Sequence, residues 1–297
     1  MFDVSVNANA PTIDEKVVPN ATVKIDDVDY RMISDSLNEL NKKDFIPVVY
    51  ITLDALKAME GHEGVLASNI VTRVRNMCQY NSLPNVQELQ LDCDWTASTE
   101  SSFFSLCESV KQYLVKQHLP WRLSSTIRLH QLSREVPPVD NGVLMVYNTG
   151  NFKDPDATNS IVDVKDVEPY MKSLSAYPLH LDVAYPVYSW QLLFRKRRFI
   201  GLLNGLPLAH MAQFVYKGNN AFEARCAISY NDRIICPGDI VREEKAAFKD
   251  VAAVKSLIER NLPNRQRSNI LYHFNLDSTN LSTYTTDEID YIFSAVR

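Results

Sequence analysis

Apolar residues along this chain fall into short runs with period two, separated by longer stretches with helical spacing. The runs Phe45–Thr52, Val86–Asp92, Leu123–Leu129, Gly142–Asn148, Leu179–Tyr185 and Asn269–Leu276 predict strands, with Phe2–Val6 as a weaker first. Between them, Asn69–Tyr80 sets Ile70, Val74 and Met77 on one helical face, and Ser101–His118 repeats the pattern with Phe104, Leu106, Val110, Tyr113 and Leu114. Asp166–Ser175, Ala247–Asn261 and Thr285–Val296 predict further helices, the last opening on a capping signal at Thr285 or Thr286 with Glu288 in its first turn. Strand followed by helix, repeated, implies a parallel sheet, and about eight such units close into a (β/α)8 TIM barrel.

Strand parity favours the barrel over an open doubly wound sheet. Glu88, Gln90, Asp92 and Asp94 alternate with Leu89, Leu91, Cys93 and Trp95. Ser124, Thr126, Arg128 and His130 likewise oppose Leu123, Ile127 and Leu129, while His180 and Asp182 oppose Leu179, Leu181 and Val183. Asn269, His273, Asn275 and Asp277 oppose Ile270, Tyr272, Phe274 and Leu276. An open sheet with helices on both faces would bury each polar set against apolar stripes, whereas a barrel turns it toward an interior and a polar mouth. The expectation is one domain over 1–297, interrupted by a β-rich insertion near 194–241, part of which supplies the seventh strand. That insertion opens on the basic run Arg195-Lys196-Arg197-Arg198 and contains Lys217-Gly218-Asn219-Asn220 and Cys236-Pro237-Gly238-Asp239.

Composition narrows the chemistry. The chain has 297 residues, 45% hydrophobic and 23% charged, as expected of a globular fold. A net charge of −5 makes nucleic acid a poor partner, and no apolar run approaches the ~18 residues of a membrane-spanning helix. Five cysteines without a C-x-x-C pair signal neither zinc nor a full disulfide framework, so no metal is expected. With 8 glycines and neither G-x-G-x-x-G nor a P-loop, no nucleotide cofactor is implied. Met1-Phe2-Asp3-Val4 reads as a strand already under way, which suggests a segment upstream of Met1.

Barrel enzymes place their chemistry at the C-terminal ends of strands. Those ends carry Asp92, Asp94, Asp182 and Asp277 together with Trp95, Arg128, Tyr147, Asn148, Tyr185, Tyr188, Trp190, His273 and Asn275. Aromatic rings stack on the apolar faces of sugars, and carboxylates and amides bind hydroxyls, so this mixture fits a carbohydrate ligand. Asp92, Asp94 and Asp182 are the candidate catalytic acids, and the others are candidate sugar contacts.

The run Leu91-Asp92-Cys93-Asp94-Trp95-Thr96 resembles the strand motif D-x-x-D-x-D-x-E of chitinase-like glycoside hydrolases. Asp92 and Asp94 match its second and third acids, and Trp95 matches the aromatic that often precedes the Glu. Leu89 stands in place of the first Asp, and Thr96 in place of the Glu that protonates the glycosidic oxygen. The stretches Asp182–Arg195 and Tyr272–Asp277 extend a looser resemblance to uncharacterised bacterial barrel proteins, which implies export or lipid anchoring at the cell envelope. Two functions follow as expectations. One is an oligosaccharide hydrolase whose acid is Asp94, Asp182 or Asp277, with Asp92 raising the pKa of Asp94 by like-charge proximity. The other is a non-catalytic glycan-binding barrel that has lost its acid at Thr96.

Overall fold

The computed structural model describes residues 2–6, 13–14, 45–80, 86–203, 205–230, 233–262, 267–273 and 284–294, with 2–6 and 13–14 as backbone only. The chain divides into two compact units, one of residues 1–143 and 178–181 and one of 144–177 and 182–297.

In the first unit, strands β1 (Phe2–Val6), β2 (Ile13–Asp14), β3 (Val48–Ile51), β4 (Glu88–Cys93) and β5 (Arg122–Arg128) lie in the order β2-β1-β3-β4-β5. All neighbours are parallel except β1 and β2. Helices Leu53–Ala58 and Glu63–Tyr80 follow β3, and Glu100–Lys116 follows β4. Thr52 starts the first of these because its hydroxyl accepts the Ala55 N–H at 3.1 Å. Val49, Ile51, Leu89, Leu91, Cys93 and Leu123 form one core with Leu66, Ile70, Val74, Phe103, Leu106 and Val110 of the helices. The odd-numbered side chains of β4 thus pack under the helices, as their parity predicts, and the even-numbered set turns the other way.

In the second unit, β7 (Leu181–Pro186) pairs in parallel with β15 (Asn269–Tyr272), Val183 opposite Asn269 and Pro186 opposite Tyr272. The chain leaving β6 (Asn141–Met145) joins it, Val146 N–H donating to the Ala184 carbonyl at 2.9 Å. Helix Phe248–Asn261 buries Val251, Val254 and Ile258. The helix expected over 166–175 is broken into Val164–Val167, a 3-10 turn Glu168–Tyr170 and Met171–Ala176, because Pro169 has no N–H to continue the α-helical pattern. Of the two threonines that could cap the helix Thr286–Phe293, it is Thr285 that forms the reciprocal cap with Glu288.

From Ser189 to Lys245 the chain is antiparallel. Strands β8 (Ser189–Arg195), β9 (Arg198–Leu203), β10 (Phe214–Gly218), β11 (Ala221–Ala224) and β14 (Ile240–Lys245) form a sheet in the order β10-β11-β14-β8-β9, and β12 (Ile228–Tyr230) and β13 (Arg233–Ile235) form a separate hairpin. They carry their own core of Leu193, Leu203, Leu206, Leu208, Phe214, Ile235 and Val241. None of these strands enters the parallel sheet, which corrects the expectation that the excursion supplies a seventh parallel strand. The physical reason is the tight turns: Lys196 and Arg197 both have positive φ, so the chain reverses within two residues and β8 pairs with β9.

Candidate functional site

Two groups of side chains carry the candidate chemistry, one in each unit. In the first, the even positions of β4 and β5 form a polar ladder. Arg122 reaches Glu88 at 3.1 Å, Gln90 donates to Ser124 at 3.4 Å, and Thr126 donates to Asp92 at 2.7 Å. Arg128 closes the ladder, donating to Asp92 at 2.7 Å and to the Thr126 hydroxyl at 2.7 Å, and lying 3.5 Å from Asp94. Asp92 is buried, its side chain 4% exposed, whereas that of Asp94, just past the end of β4, is 55% exposed with His130 at 3.4 Å.

Parallel register places Tyr50 of β3 beside Asp92, a neighbour that the strand-end reading passed over. Burial raises the Tyr50 phenol above its ordinary pKa, the Asp92 charge adds to that, and the Arg128 charge opposes it. Buried Gln131 holds the turn after β5, donating to the Trp95 carbonyl at 3.0 Å and accepting the Arg128 N–H at 2.8 Å. The backbone of Arg128 is thereby fixed against the end of β4.

Thr96 lies in the turn that opens helix Glu100–Lys116. Its N–H donates to the Thr99 hydroxyl at 3.0 Å, and its own hydroxyl lies 3.1 Å from that of Ser98. Trp95 is fully buried and packs against Phe103 and Phe104 at ring distances of 6.1 and 5.4 Å. It is a core residue beneath the helix and offers no face to a sugar. Burial also raises the Cys93 thiol, to about 12.

The second unit gathers rings. Tyr147 stacks on Tyr272 with centroids 4.1 Å apart and planes 2° from parallel. Tyr188 stands edge-on to both, at 6.4 Å from Tyr147 and 5.9 Å from Tyr272, and meets Trp190 at 5.7 Å and His273 at 5.7 Å. Phe152 packs on Trp190 at 5.8 Å. Tyr147 and Tyr188 are buried and form the base, while Trp190, Phe152 and Tyr272 are half-buried. Asn148, exposed and at φ 52°, accepts the Tyr188 hydroxyl at 2.6 Å. With its oxygen so engaged, the Asn148 amide is oriented with its N–H groups away from that bond. Burial pushes the Tyr188 phenol up, with Tyr272 and Glu244 adding to the effect, and burial lowers the His273 pKa.

Two further candidates take other places. Asp182 lies at the N-terminal end of β7, where it accepts the Ser268 N–H at 2.6 Å, so it secures the entry to β15 rather than standing at a strand's C-terminal end. Tyr185 is fully buried among Glu259, Arg267 and Tyr291, and burial raises its phenol. Asn275 and Asp277 lie outside the described residues. Glu244, Phe152 and Tyr272 enter the aromatic patch without having been singled out in the sequence. Glu244 sits in the charge-rich run Arg242–Lys245 on β14, and Tyr272 falls in the apolar parity set. Among the described residues, no group of His, Cys, Asp and Glu is arranged to hold a metal ion, and no helix is long and apolar enough to cross a membrane.

Similarity to solved structures lies in the backbone. The spore cortex-lytic enzyme SleL of Bacillus cereus superposes with a TM-score of 0.54 at 12% identity, over 99% of this chain and 66% of that one. In fold, this chain resembles the chitinase-like glycoside hydrolases. A chitinase from Chromobacterium violaceum matches with a TM-score of 0.50 at 13% identity, over 95% of this chain and 87% of that one. A chitinase catalytic domain of Ostrinia furnacalis, determined in complex with an N-acetylated chitooligosaccharide, matches with a TM-score of 0.50 at 9% identity, over 86% and 78%. The chain spans 66% of the SleL structure's length. No family model matches the sequence, and no curated protein matches it. Within this chitinase-like fold, β4 carries Asp92, and the turn after it carries Asp94 and Thr96.

Proposed function

We propose that this chain is a glycosidase-like (β/α)8 barrel over 1–297, with its β-rich insertion at 194–241, that binds an oligosaccharide on the aromatic patch and does not cleave it by the family's usual acid. The observation that carries this reading is the interlocked group in which half-buried Tyr272 and Trp190 rest on buried Tyr147 and Tyr188, beside the exposed amide of Asn148. Flat apolar rings with amide donors at their edge match the alternation of C–H faces and hydroxyls on a pyranose. His273 and Asn148 supply the polar contacts, and Tyr147 and Tyr188 hold the platform in place.

The polar ladder supports the non-catalytic half of the reading. Glycoside hydrolysis needs a proton donor on one side of the bond and a base or nucleophile on the other. Thr96 has no useful acidity near neutral pH, and its hydroxyl is engaged in the helix-opening turn. Asp92 is committed to Thr126 and Arg128. A second reading rests on Asp94, whose half-exposed carboxylate beside His130 and Arg128 is the candidate acid of a hydrolase.

One experiment separates them. The purified chain is titrated with a panel of oligosaccharides that includes N-acetylchitopentaose, with melting temperature and released reducing ends both recorded, for the wild type and Asp94→Asn. Binding raises the melting temperature whether or not turnover occurs. Stabilisation without product, retained in Asp94→Asn and lost in Trp190→Ala, is the expected result. Product abolished by Asp94→Asn establishes the hydrolase, and a panel that shifts nothing sinks both.

A further inference from the structure

Beneath the aromatic patch runs a buried ion pair that the glycan reading does not itself require. Arg242 and Glu244 occupy alternate positions of β14, and Glu244 stands directly opposite Trp190 of β8 in the antiparallel register. Their side chains are 3% and 0% exposed, with Arg242 Nε donating to Glu244 Oε1 at 2.8 Å. The other carboxylate oxygen, Oε2, accepts three bonds: Trp190 Nε1–H at 2.8 Å, Ser160 N–H at 3.0 Å and the Ser160 hydroxyl at 2.5 Å. Arg242 in turn donates to the Asp154 carbonyl at 2.7 Å and the Phe152 carbonyl at 3.3 Å, and it lies 4.8 Å over the Phe194 ring. One ion pair therefore grips Trp190 by its indole N–H and Phe152 by its backbone.

A buried ion pair contributes little net stability when an apolar pair of the same volume would serve, because desolvation offsets the attraction. Its donors and acceptors nevertheless specify geometry. Here all four groups bound by the Glu244 carboxylate, and both carbonyls bound by Arg242, lie on Trp190, on the 152–160 segment or within the pair itself. An indole held by its N–H cannot turn over about its side-chain torsion, and the Phe152 backbone, held by Arg242, keeps its ring packed against that indole. We infer that Glu244 is a positioning residue for the sugar platform, locking the planes of Trp190 and Phe152 before any ligand arrives and so reducing the ordering cost of binding. This inference rests on the reading of the patch as a glycan site.

The test uses the full chain labelled with 15N at tryptophan, whose three indole N–H signals come from Trp95, Trp121 and Trp190. Trp190→Phe deletes one signal and so assigns it. In Glu244→Gln, which removes the charge shared with Arg242, the Trp190 indole signal is expected to move upfield and exchange faster with water. Affinity for N-acetylchitopentaose is expected to fall roughly tenfold. Trp190→Phe, which keeps a ring and loses only the tethered N–H, falls similarly, and the double variant is no weaker than the worse single one. Ser160→Ala removes a different donor from the same oxygen and leaves the indole signal and the affinity nearly unchanged. An unmoved indole signal in folded Glu244→Gln, or equal affinity losses in Ser160→Ala and Glu244→Gln, overturns the inference. An indole signal that moves in a chain that binds no oligosaccharide supports the tether and overturns the glycan reading beneath it.

Discussion

The polar ladder of the first unit and the aromatic patch of the second are built on opposite principles. Every carboxylate of the ladder faces an arginine within 4 Å: Glu88 has Arg122, and Asp92 and Asp94 share Arg128. The patch instead leaves Trp190, Phe152 and Tyr272 half open to solvent, supported from below by buried rings and a buried ion pair. The difference teaches that acids at a strand end can be satisfied within the fold itself: on the reading proposed above, Asp92 and Asp94 act as structure. Asp92 and Asp94 both meet Arg128 at the end of β5, while the surface proposed for a ligand lies in residues outside that run.

The comparison breaks first at the core under the ladder. Trp95→Ala should destabilise the chain by about 3–5 kcal/mol in a urea titration, because a fully buried stacked ring leaves a cavity beside Phe103. A small loss would mean that Trp95 is available to a ligand after all. Next, Asp92→Ala should cost about 3 kcal/mol because the buried Thr126 hydroxyl and the Arg128 guanidinium both lose their buried acceptor, with Asp92→Asn milder because the amide oxygen still accepts the Thr126 hydroxyl. If Asp92→Ala folded with full stability yet lost an activity, the ladder would be chemistry and not scaffold.

On the patch the effect belongs in binding. Trp190→Ala should weaken oligosaccharide affinity roughly 10- to 100-fold, with a smaller loss of stability than Trp95→Ala because the Trp190 ring is only half-buried. Smaller effects concern pH. Burial alone would raise the Asp239 carboxyl, but hydrogen bonds from Arg195 and the Cys236 N–H, with the Arg195 charge, hold it below its ordinary 3.8. A lowered folded pKa means that this stabilisation is present above pH 3.8 and is lost as pH falls through the lowered value, so Asp239→Asn should flatten the acid limb of a melting-temperature profile. His273, lowered by burial from 6.5, contributes in the same sense at higher pH. Its share is present above pH 6.5 and fades below it, and His273→Gln should remove a shallow slope there.

Much of this was legible in the sequence. Alternation in Val86–Trp95 distinguished the helix-facing Leu89, Leu91 and Cys93 from the polar Glu88, Gln90 and Asp92, because a strand turns successive side chains to opposite faces. The resemblance at Asp92, Asp94 and Trp95 pointed to the chitinase-like fold. Less legible was the fate of each side chain. Parity assigned Asp182 a face but not a height along β7, and only the start of the strand at Leu181 places it at the N-terminal end. Trp95 looks alike in sequence to Trp190, yet Trp95 is wholly buried and Trp190 only half-buried, because burial depends on what lies over each ring. Glu244 was hidden in the polar run Arg242–Lys245, since its partners Ser160 and Trp190 lie 84 and 54 positions away.

The measurement that bears most directly on binding without cleavage is a single incubation of the wild-type chain with N-acetylchitopentaose, with binding followed by tryptophan emission and products by chromatography. The account predicts saturable binding, absent in Trp190→Ala, with the pentasaccharide recovered intact. Shorter oligosaccharides that accumulate with time, and vanish in Asp94→Asn, would contradict it.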